Sequence, residues 1–202
     1  MIFIEFASGG KSLADERAAA ALLAEKMIFK YTGRRLKYAD AKRTDKGKPY
    51  FEELCGVDFS ISHSGCLVVC AVSVESMENS IGALPFCGDM EIQNAYFIDT
   101  APGHIRVGAD IELVTENTER FLRVSKRYFT ASENEYINSG GFDPERFFEI
   151  WTKKESLGKM FGTGLSGVLY NENLSEIGDA QFQSFKIKTD SGEYVGCVCF
   201  EK

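Results

Sequence analysis

The chain has 202 residues, which suits one large domain or two small ones, and 44% of them are hydrophobic, which excludes wholesale disorder. The formal net charge of −7 argues against general nucleic-acid binding, and no apolar run approaches the roughly 20 residues of a membrane span. Since no basic leader precedes an apolar stretch at the start, we expect no secretory signal and a cytoplasmic location.

The cysteines are expected to be buried in the core. Two strand-like apolar runs, CLVVCAV and YVGCVCF, carry four of them, and free cysteine commonly behaves as a small buried hydrophobe. The chain has no paired C-x-x-C motif and only two histidines, which argues against a zinc site. The six cysteines are Cys55, Cys66, Cys70, Cys87, Cys197 and Cys199.

The first predicted element is a helix over residues 12–30. Ser12 with the following Asp15 and Glu16 supplies an N-terminal signal, and the Ala/Leu run has high helix propensity. The segment 30–48 then holds eight Lys or Arg residues against two Asp. Two interpretations stay open for this basic segment: a solvated loop, or a local site for a phosphate-rich ligand.

A β-hairpin is predicted over residues 57–74, where an alternating strand and an apolar strand flank Ser64-Gly65. Residues 75–106 are punctuated by Gly, Pro and acidic residues, so we expect an irregular excursion with one strand-like stretch from Ala95 to Ile98. A helix followed by a hairpin therefore describes the first half of the chain.

The second half predicts a strand, three helices and a closing hairpin. Thr130 and Glu133 form a capping-box pattern, and Asp143 with Pro144 marks the start of the strongest helix. The segments are a strand at 107–114, helices at 118–128, 130–138 and from 143, and strands at 180–189 and 193–200. Because helix and hairpin recur, two related α+β halves packed face to face suit the pattern, although the repeat signal is faint.

The stretch VGADIELV carries two carboxylates, Asp110 and Glu112, on one face of its predicted strand. They are either part of a solvated face or ligands for a hard divalent cation such as Mg²⁺, which takes one or two carboxylates together with substrate phosphates. Gly108 would let a ligand or a neighbouring backbone approach closely.

The stretch WTKKESLGK places Trp151, Glu155 and Lys159 along one face of the strongest helix. The pair Glu155 and Lys159 is either an ordinary surface pair or, because tryptophan is usually well buried, a partly enclosed one. An enclosed Glu could bind a metal or act as a general base, and an enclosed Lys could neutralise phosphate.

The stretch FSISHSG ends a predicted strand and carries His63 between Ser62 and Ser64. A lone histidine is more often structural, and His63 has no Cys or acidic partner nearby in the sequence, so a catalytic triad is unsupported. The three side chains together could bind a phosphate.

The order GKP, FSISHSG, VGADIE and FFEIWTKKESLGKMFGTGL, from about Gly47 to Leu165, closely resembles the 4′-phosphopantetheinyl transferases of the surfactin-synthetase-activating type. The resemblance implies transfer of the phosphopantetheine arm of coenzyme A to a serine of an apo acyl or peptidyl carrier protein, with release of 3′,5′-ADP. It also implies a monomeric pseudo-dimer of two α+β halves, here 1–106 and 107–202, with coenzyme A in the cleft between them.

By the same resemblance Asp110, Glu112 and Glu155 would bind Mg²⁺ on the pyrophosphate of coenzyme A. Glu155 would also deprotonate the attacking serine, directly or through water, and Lys159 would steady the pyrophosphate or the leaving group. Metal, base and cation together supply the charge neutralisation and the positioning that phosphoryl transfer requires.

Further residues match nucleotide contacts of that family. His63 would bind the 3′-phosphate of the ADP half and act beside the catalytic pair. The other matching positions are Arg17 in the first helix, Lys48 of GKP, Ser62 and Ser64.

The chain departs from the family pattern in three places. Residues 75–106 replace what is usually a short turn, and could cover the cleft, alter carrier docking or decorate a sheet edge. The N-terminal region is short, so basic contacts would be missing or supplied by Lys30 to Lys46. Gly158 lies inside a helix at a cost of roughly 1 kcal/mol relative to Ala, which suggests close packing of a backbone or ligand.

Two other functions are compatible with parts of this pattern. A non-catalytic coenzyme A or carrier-protein binding module would be expected to have lost at least one residue of the set, which is intact here. A different Mg²⁺-dependent phosphotransferase has no support from a Walker-type G-x-x-x-x-G-K-[ST] loop.

Overall fold

The computed structural model describes residues 1–75, 95–100, 103–164 and 178–201. In chain order the first elements are β1 (Ile2–Ser8), α1 (Leu13–Thr32), β2 (Lys42–Arg43), β3 (Pro49–Tyr50), β4 (Val57–Ser64), β5 (Leu67–Val74) and β6 (Ala95–Ile98). They are followed by β7 (Val107–Leu113), α2 (Thr118–Tyr128), α3 (Ala131–Asn138), α4 (Pro144–Phe161), β8 (Ala180–Thr189) and β9 (Gly192–Glu201).

The helices begin and end where local signals predict. α1 starts with a capping box between Ser12 and Asp15, and it ends at Gly33 in the left-handed conformation that glycine tolerates best. Asp143 caps α4 through the backbone N–H groups of Glu145 and Arg146. The predicted hairpins β4–β5 and β8–β9 are likewise confirmed.

Two antiparallel sheets form the middle of the molecule. The first has the strand order β4-β5-β1-β6 and the second the order β7-β9-β8, while β2 and β3 pair separately. One apolar cluster lies between α1 and the first sheet, a second lies between the two sheets, and a third lies between α4 and β9. The predicted α+β class with antiparallel sheets is confirmed.

Strand β1 was not predicted, although it is the third strand of the first sheet. Both of its faces are buried, so the alternation of apolar and polar residues that reveals a half-exposed strand is missing. Its one charged residue, Glu5, is 1% exposed and accepts hydrogen bonds from Lys30 Nζ at 2.5 Å and from Tyr31 Oη at 2.6 Å. This buried carboxylate is therefore compensated across the contact with α1.

Strand β4 faces the second sheet with polar side chains. Asp58, Ser60, Ser62 and Ser64 alternate along it, while Phe59 on the other face belongs to the α1 cluster. The backbone N–H groups of β7 donate to this polar row: Val107 to Asp58 at 2.8 Å, Ala109 to Ser60 at 2.9 Å and Leu113 to Ser64 at 3.0 Å. Side chains of β4 thus satisfy the edge of β7, where a further strand would otherwise have to pair.

Gly108 is the point where α4 comes closest to β7. A Cβ atom built on Gly108 would lie 1.9 Å from the carbonyl oxygen of Ser156 and 2.5 Å from the backbone nitrogen of Met160. Of the two predicted reasons for this glycine, the structure supports close approach of a neighbouring backbone. Only a residue without a side chain allows this strand and helix to touch.

The cysteine prediction is confirmed for three residues and wrong for one. Cys70, Cys197 and Cys199 are buried, and Cys66 is half-buried. Cys55 is exposed, because it lies in a turn between β3 and β4 rather than in a strand. Cys87 lies outside the described residues.

The excursion at 75–106 is described only in part, and residues 76–94, 101 and 102 lie outside the described residues. Its strand β6 pairs with β1 at the edge of the first sheet, which agrees with the prediction that this segment decorates a sheet edge. Among the described helices none is long and apolar enough to cross a membrane.

Candidate active site

A cavity of about 300 Å³ lies between the basic segment, β4 and α4. Arg43, Lys46 and Lys48 line one side of it, and Glu155 and Lys159 line another. The basic segment therefore faces a cavity, which favours the phosphate-ligand interpretation over a purely solvated loop. Gly158, whose cost inside the helix needed a reason, also lines this cavity.

Asp110 and Lys159 form the centre of the site. Lys159 Nζ lies 2.7 Å from Asp110 Oδ1 and 2.9 Å from Ser62 Oγ, and Ser62 Oγ in turn lies 2.7 Å from the same Asp110 oxygen. Asp110 is 3% exposed. β7 supplies the carboxylate, α4 the ammonium and β4 the hydroxyl, so the cluster exists only where the three elements meet.

Glu112 lies one step further along the same face of β7. It accepts a hydrogen bond from Ser64 Oγ at 2.9 Å, and the side chain of Trp151 also hydrogen-bonds to it. Burial, followed by repulsion from Asp110, raises the pKa of Glu112 to about 6. Ala109 and Ile111, on the opposite face, belong to the core between the sheets, as the strand prediction required.

Glu155 completes a group of three interacting carboxylates. Burial raises its pKa to about 7, and repulsion from Asp110 and then Glu112 adds to the effect, while Lys159 opposes it. Like charges that share a poorly solvated site disfavour ionisation of their neighbours. The three carboxylates predicted to act together thus share one electrostatic environment.

The adjacent Lys154 points elsewhere. Its side chain is fully buried and lies 3.1 Å from Glu133 Oε1 of α3, with the ammonium 5.6 Å from the centre of the Phe129 ring. This ion pair fixes α4 against α3 and leaves Glu155 and Lys159 on the face directed at β7. Of the neighbouring residues in KKE, Lys154 is therefore structural, whereas Glu155 belongs to the site.

The donor set suits a divalent cation that keeps positions open for other ligands. Asp110 Oδ2 is buried without a hydrogen-bond partner, and hard cations such as Mg²⁺ bind carboxylate oxygens together with water and phosphate. Within the described ranges, no three His, Cys, Asp or Glu side chains are grouped tightly enough to enclose a metal by themselves. Magnesium at Asp110, Glu112 and Glu155 stays a prediction.

The raised pKa values predict how pH affects the metal-free protein. A carboxyl group whose pKa is higher in the folded than in the unfolded state stabilises the fold at low pH and loses that contribution as pH rises through the folded pKa. For Glu155 we expect a loss of about 2 kcal/mol in the free energy of unfolding between about pH 5 and pH 8, since a tenfold change in proton affinity corresponds to about 1.4 kcal/mol and the group is not fully buried.

Urea denaturation in EDTA, compared between the wild type and Glu155→Gln, measures this contribution, because groups that do not interact with Glu155 titrate alike in both proteins. The wild type should lose stability relative to the variant as pH rises, and added MgCl₂ should restore it at pH 8 more than at pH 5. A difference that stays constant with pH would contradict the prediction.

His63 has an acidic partner that the sequence did not reveal. Its Nδ1 lies 2.8 Å from Glu16 Oε2, and both side chains are mostly buried. From the sequence, Glu16 indicated only the start of a helix. No local pattern links it to His63, because the two residues are 47 positions apart. The contact arises because β4 directs His63 toward the first turns of α1.

Lys48 and Arg17 occupy different surroundings from the carboxylates. The ammonium of Lys48 lies 2.5 Å from Asp58 and 3.2 Å from the carbonyl oxygens of Val107 and Met160, so it joins the basic segment to β4, β7 and α4. Arg17 is exposed on α1, and the structure does not place it on the cavity described above. Their predicted nucleotide contacts stay predictions.

Comparison with known proteins agrees with these features. Residues 106–202 match the sequence model of the 4′-phosphopantetheinyl transferase superfamily. The chain is 30% identical over 122 residues to a 4′-phosphopantetheinyl transferase of Bacillus subtilis, covering 59% of this chain and 40% of that protein. It is 28% identical over 156 residues to the 4′-phosphopantetheinyl transferase gsp of Aneurinibacillus migulanus, covering 73% of this chain and 50% of that protein. The matches thus span half or less of the length of these relatives.

Proposed function

We propose that the chain is a member of the 4′-phosphopantetheinyl transferase superfamily, whose sequence model matches its residues 106–202, and that it transfers the 4′-phosphopantetheine arm of coenzyme A to a serine of an apo carrier protein. One observation carries the proposal. Lys159 lies 2.7 Å from Asp110, with which Glu112 and Glu155 interact electrostatically, and Glu155 and Lys159 line a cavity that basic residues also line. This arrangement suits a pyrophosphate that must be neutralised and attacked in one place.

We further propose that the two parts of the chain, 1–106 and 107–202, act as the halves of a pseudo-dimer with coenzyme A in the cleft between them. Each part contributes an antiparallel sheet with a helix on its outer face, α1 in one and α4 in the other. The cavity takes its lining from both parts, which supports a ligand site at their junction.

In the proposed reaction the serine Oγ of the carrier attacks the pyrophosphate phosphorus on the pantetheine side. The serine proton passes to Glu155, directly or through water. The bond to the bridging oxygen breaks, and that oxygen leaves on 3′,5′-ADP. Lys159 stabilises the negative charge that develops on the leaving phosphate.

Mg²⁺, bound by Asp110, Glu112 and Glu155, would neutralise the pyrophosphate charge. Arg43 and Lys46 line the cavity and would bind the remaining phosphates. The ammonium of Lys48 is already bonded to Asp58 and to the carbonyl oxygens of Val107 and Met160, so Lys48 would hold the basic segment beside the cavity. His63 and Arg17 are the further nucleotide contacts that the family resemblance implies.

The direct test incubates the protein with coenzyme A, MgCl₂ and several apo carrier proteins, followed by intact-mass spectrometry of each carrier. We expect a mass gain of one phosphopantetheine on at least one carrier and release of 3′,5′-ADP in equal amount. Binding of coenzyme A without any mass gain across all carriers would instead support the non-catalytic binding module.

Helix α2 is our proposed docking surface for the carrier. Its face opposite the buried Phe121 exposes four basic residues, in a protein whose net charge is −7. Carrier proteins of this kind are usually acidic, so a local basic surface has to overcome the overall repulsion. Strand β7 carries Asp110 and Glu112, and a short loop joins its end to α2. The basic surface is therefore close in the chain to the carboxylates of the site. The four residues are Arg120, Arg123, Lys126 and Arg127.

Charge reversal on α2 should weaken carrier binding alone. Arg123→Glu is expected to raise the KM for the carrier about tenfold at low salt, with a smaller effect at high salt, because exposed charges act over about a Debye length. The KM for coenzyme A should not change. Lys188→Glu, a reversal at a side chain 81% exposed on β8, is the matched control and should leave both constants unchanged. Equal effects of the two reversals would exclude α2 as the docking surface.

A further inference from the structure

Three of the four polar side chains on β4 accept a hydrogen bond from the backbone of β7, and the fourth, Ser62, bonds to side chains instead. Asp58, Ser60 and Ser64 each accept a backbone N–H of β7, from Val107, Ala109 and Leu113. By this spacing Ser62 faces Ile111. Its hydroxyl instead contacts Asp110 Oδ1 at 2.7 Å and Lys159 Nζ at 2.9 Å.

Two serines of this row bond to the two carboxylates of β7. Ser62 Oγ donates to Asp110 Oδ1, and Ser64 Oγ donates to Glu112 Oε2 at 2.9 Å. An S-x-S pair on β4 therefore matches a D-x-E pair on β7, one hydroxyl to each carboxylate. The match follows from the strand period of two, which puts alternate side chains of both strands at the same junction.

The hydrogen atoms of the two hydroxyls are already used. A serine hydroxyl has one proton to donate, and an ionised carboxylate can only accept. Ser62 also accepts from the Lys159 ammonium, and Ser64 accepts from the backbone N–H of Leu113. Neither hydroxyl retains a proton for the phosphate of a nucleotide.

We propose that Ser62 and Ser64 are positioning residues that orient Asp110 and Glu112 for the metal, rather than contacts to the phosphates of coenzyme A. The inference rests on the proposed function, since it assigns these residues within the same site. Ser62 holds the Oδ1 side of Asp110 with Lys159, which leaves the buried and unpartnered Oδ2 as the oxygen presented to a cation. Hydrogen bonds from outside the ligand set commonly orient metal carboxylates in this way.

Isothermal titration of MgCl₂ into protein saturated with coenzyme A, without a carrier, tests the metal part of the proposal. Ser62→Ala and Ser64→Ala should weaken Mg²⁺ binding about tenfold or more, as loss of a ligand-orienting partner typically does. Ser62→Thr keeps the hydroxyl and should recover most of the affinity. Ser60→Ala is the matched control, because Ser60 is as deeply buried on the same strand face but bonds to the backbone of Ala109. Its Mg²⁺ affinity should equal that of the wild type.

Coenzyme A binding in EDTA tests the phosphate part. Because the two serines do not touch the nucleotide in this proposal, Ser62→Ala and Ser64→Ala should bind coenzyme A as the wild type does when no metal is present. Weaker binding of coenzyme A in EDTA, with unchanged Mg²⁺ affinity, would overturn the proposal and restore the phosphate role. An equal loss of Mg²⁺ affinity in Ser60→Ala would overturn it as well, since the effect would then be general to the strand junction.

The Mg²⁺ titration can succeed or fail independently of the carrier-transfer assay that tests the proposed function. A wild type that binds Mg²⁺ and coenzyme A but transfers nothing to any carrier refutes the transferase activity and leaves the positioning test valid. A wild type that binds no Mg²⁺ in the presence of coenzyme A overturns the positioning role.

Discussion

Asp110→Asn is expected to reduce phosphopantetheine transfer at least about a hundredfold while the protein stays folded, a loss typical of removing one charged group that acts on the transition state. The amide oxygen of Asn can still accept the hydrogen bonds of Ser62 and Lys159 at the Oδ1 position. The amide nitrogen then takes the place of Oδ2, which is buried and has no hydrogen-bond partner. A group that donates protons cannot bind a cation there.

The measurement is the initial rate of carrier modification at saturating coenzyme A and MgCl₂, together with a urea unfolding curve. Asp190→Asn makes the same chemical change at an exposed turn and should leave both the rate and the curve unchanged. An Asp110→Asn rate close to that of the wild type would contradict the metal role of this carboxylate. A lost rate together with a lost unfolding transition would show that Asp110 is needed for the fold instead.

Gly108→Ala is expected to be the most destabilising single methyl addition among the described glycines of the site region. The new Cβ would lie 1.9 Å from the Ser156 carbonyl oxygen and 2.5 Å from the Met160 nitrogen, both backbone atoms of α4. Neither can rotate away, so β7 and α4 must separate. We expect the free energy of unfolding to fall by about 3 kcal/mol or more, at the upper end of what overpacking costs.

The same displacement should lower activity, because β7 carries Asp110 and Glu112 and α4 carries Glu155 and Lys159. Urea denaturation and the transfer rate in the fraction that remains folded measure the two effects. Gly178→Ala is the control, since a Cβ there would meet no atom within 4 Å, and its stability should stay within about 0.5 kcal/mol of the wild type. A Gly108→Ala protein of normal stability would show that α4 can move away from β7 at little cost.

Asp110→Asn and Gly108→Ala both change the junction of β7 with α4, the first in its chemistry and the second in its packing. Asp110 tests the chemistry that the meeting of β7, β4 and α4 creates, and Gly108 tests the close contact that makes this meeting possible. Loss of activity without loss of stability in the first, and loss of both in the second, would support this division of roles.

Most secondary structure could be predicted because its signals are local. The capping box at Ser12, the N-cap at Asp143 and the alternation in the closing hairpin each involve residues a few positions apart. Strand β1 escaped prediction because burial of both its faces removes the alternation. Cys55 is exposed because it lies in a turn, which Gly56 with its positive φ indicates, whereas the general tendency of free cysteine favoured burial.

Within the site, spacing alone predicted which side chains share a face. Asp110 and Glu112 lie two apart on a strand, and Glu155 and Lys159 lie four apart on a helix, so each pair follows from the period of its own element. Gly108 likewise indicated a close approach to β7, although the sequence did not show that the approaching element is α4.

Only the tertiary structure decided which groups meet. It brings Ser62 of β4 to Asp110 and Lys159, brings Glu16 of α1 to His63, and directs Lys48 to Asp58. These contacts join residues far apart in the chain, and the packing of sheets and helices, rather than any local period, determines them. The sequence by itself therefore determined the chemistry on each element, whereas the hydrogen bonds that orient this chemistry depend on how the elements pack.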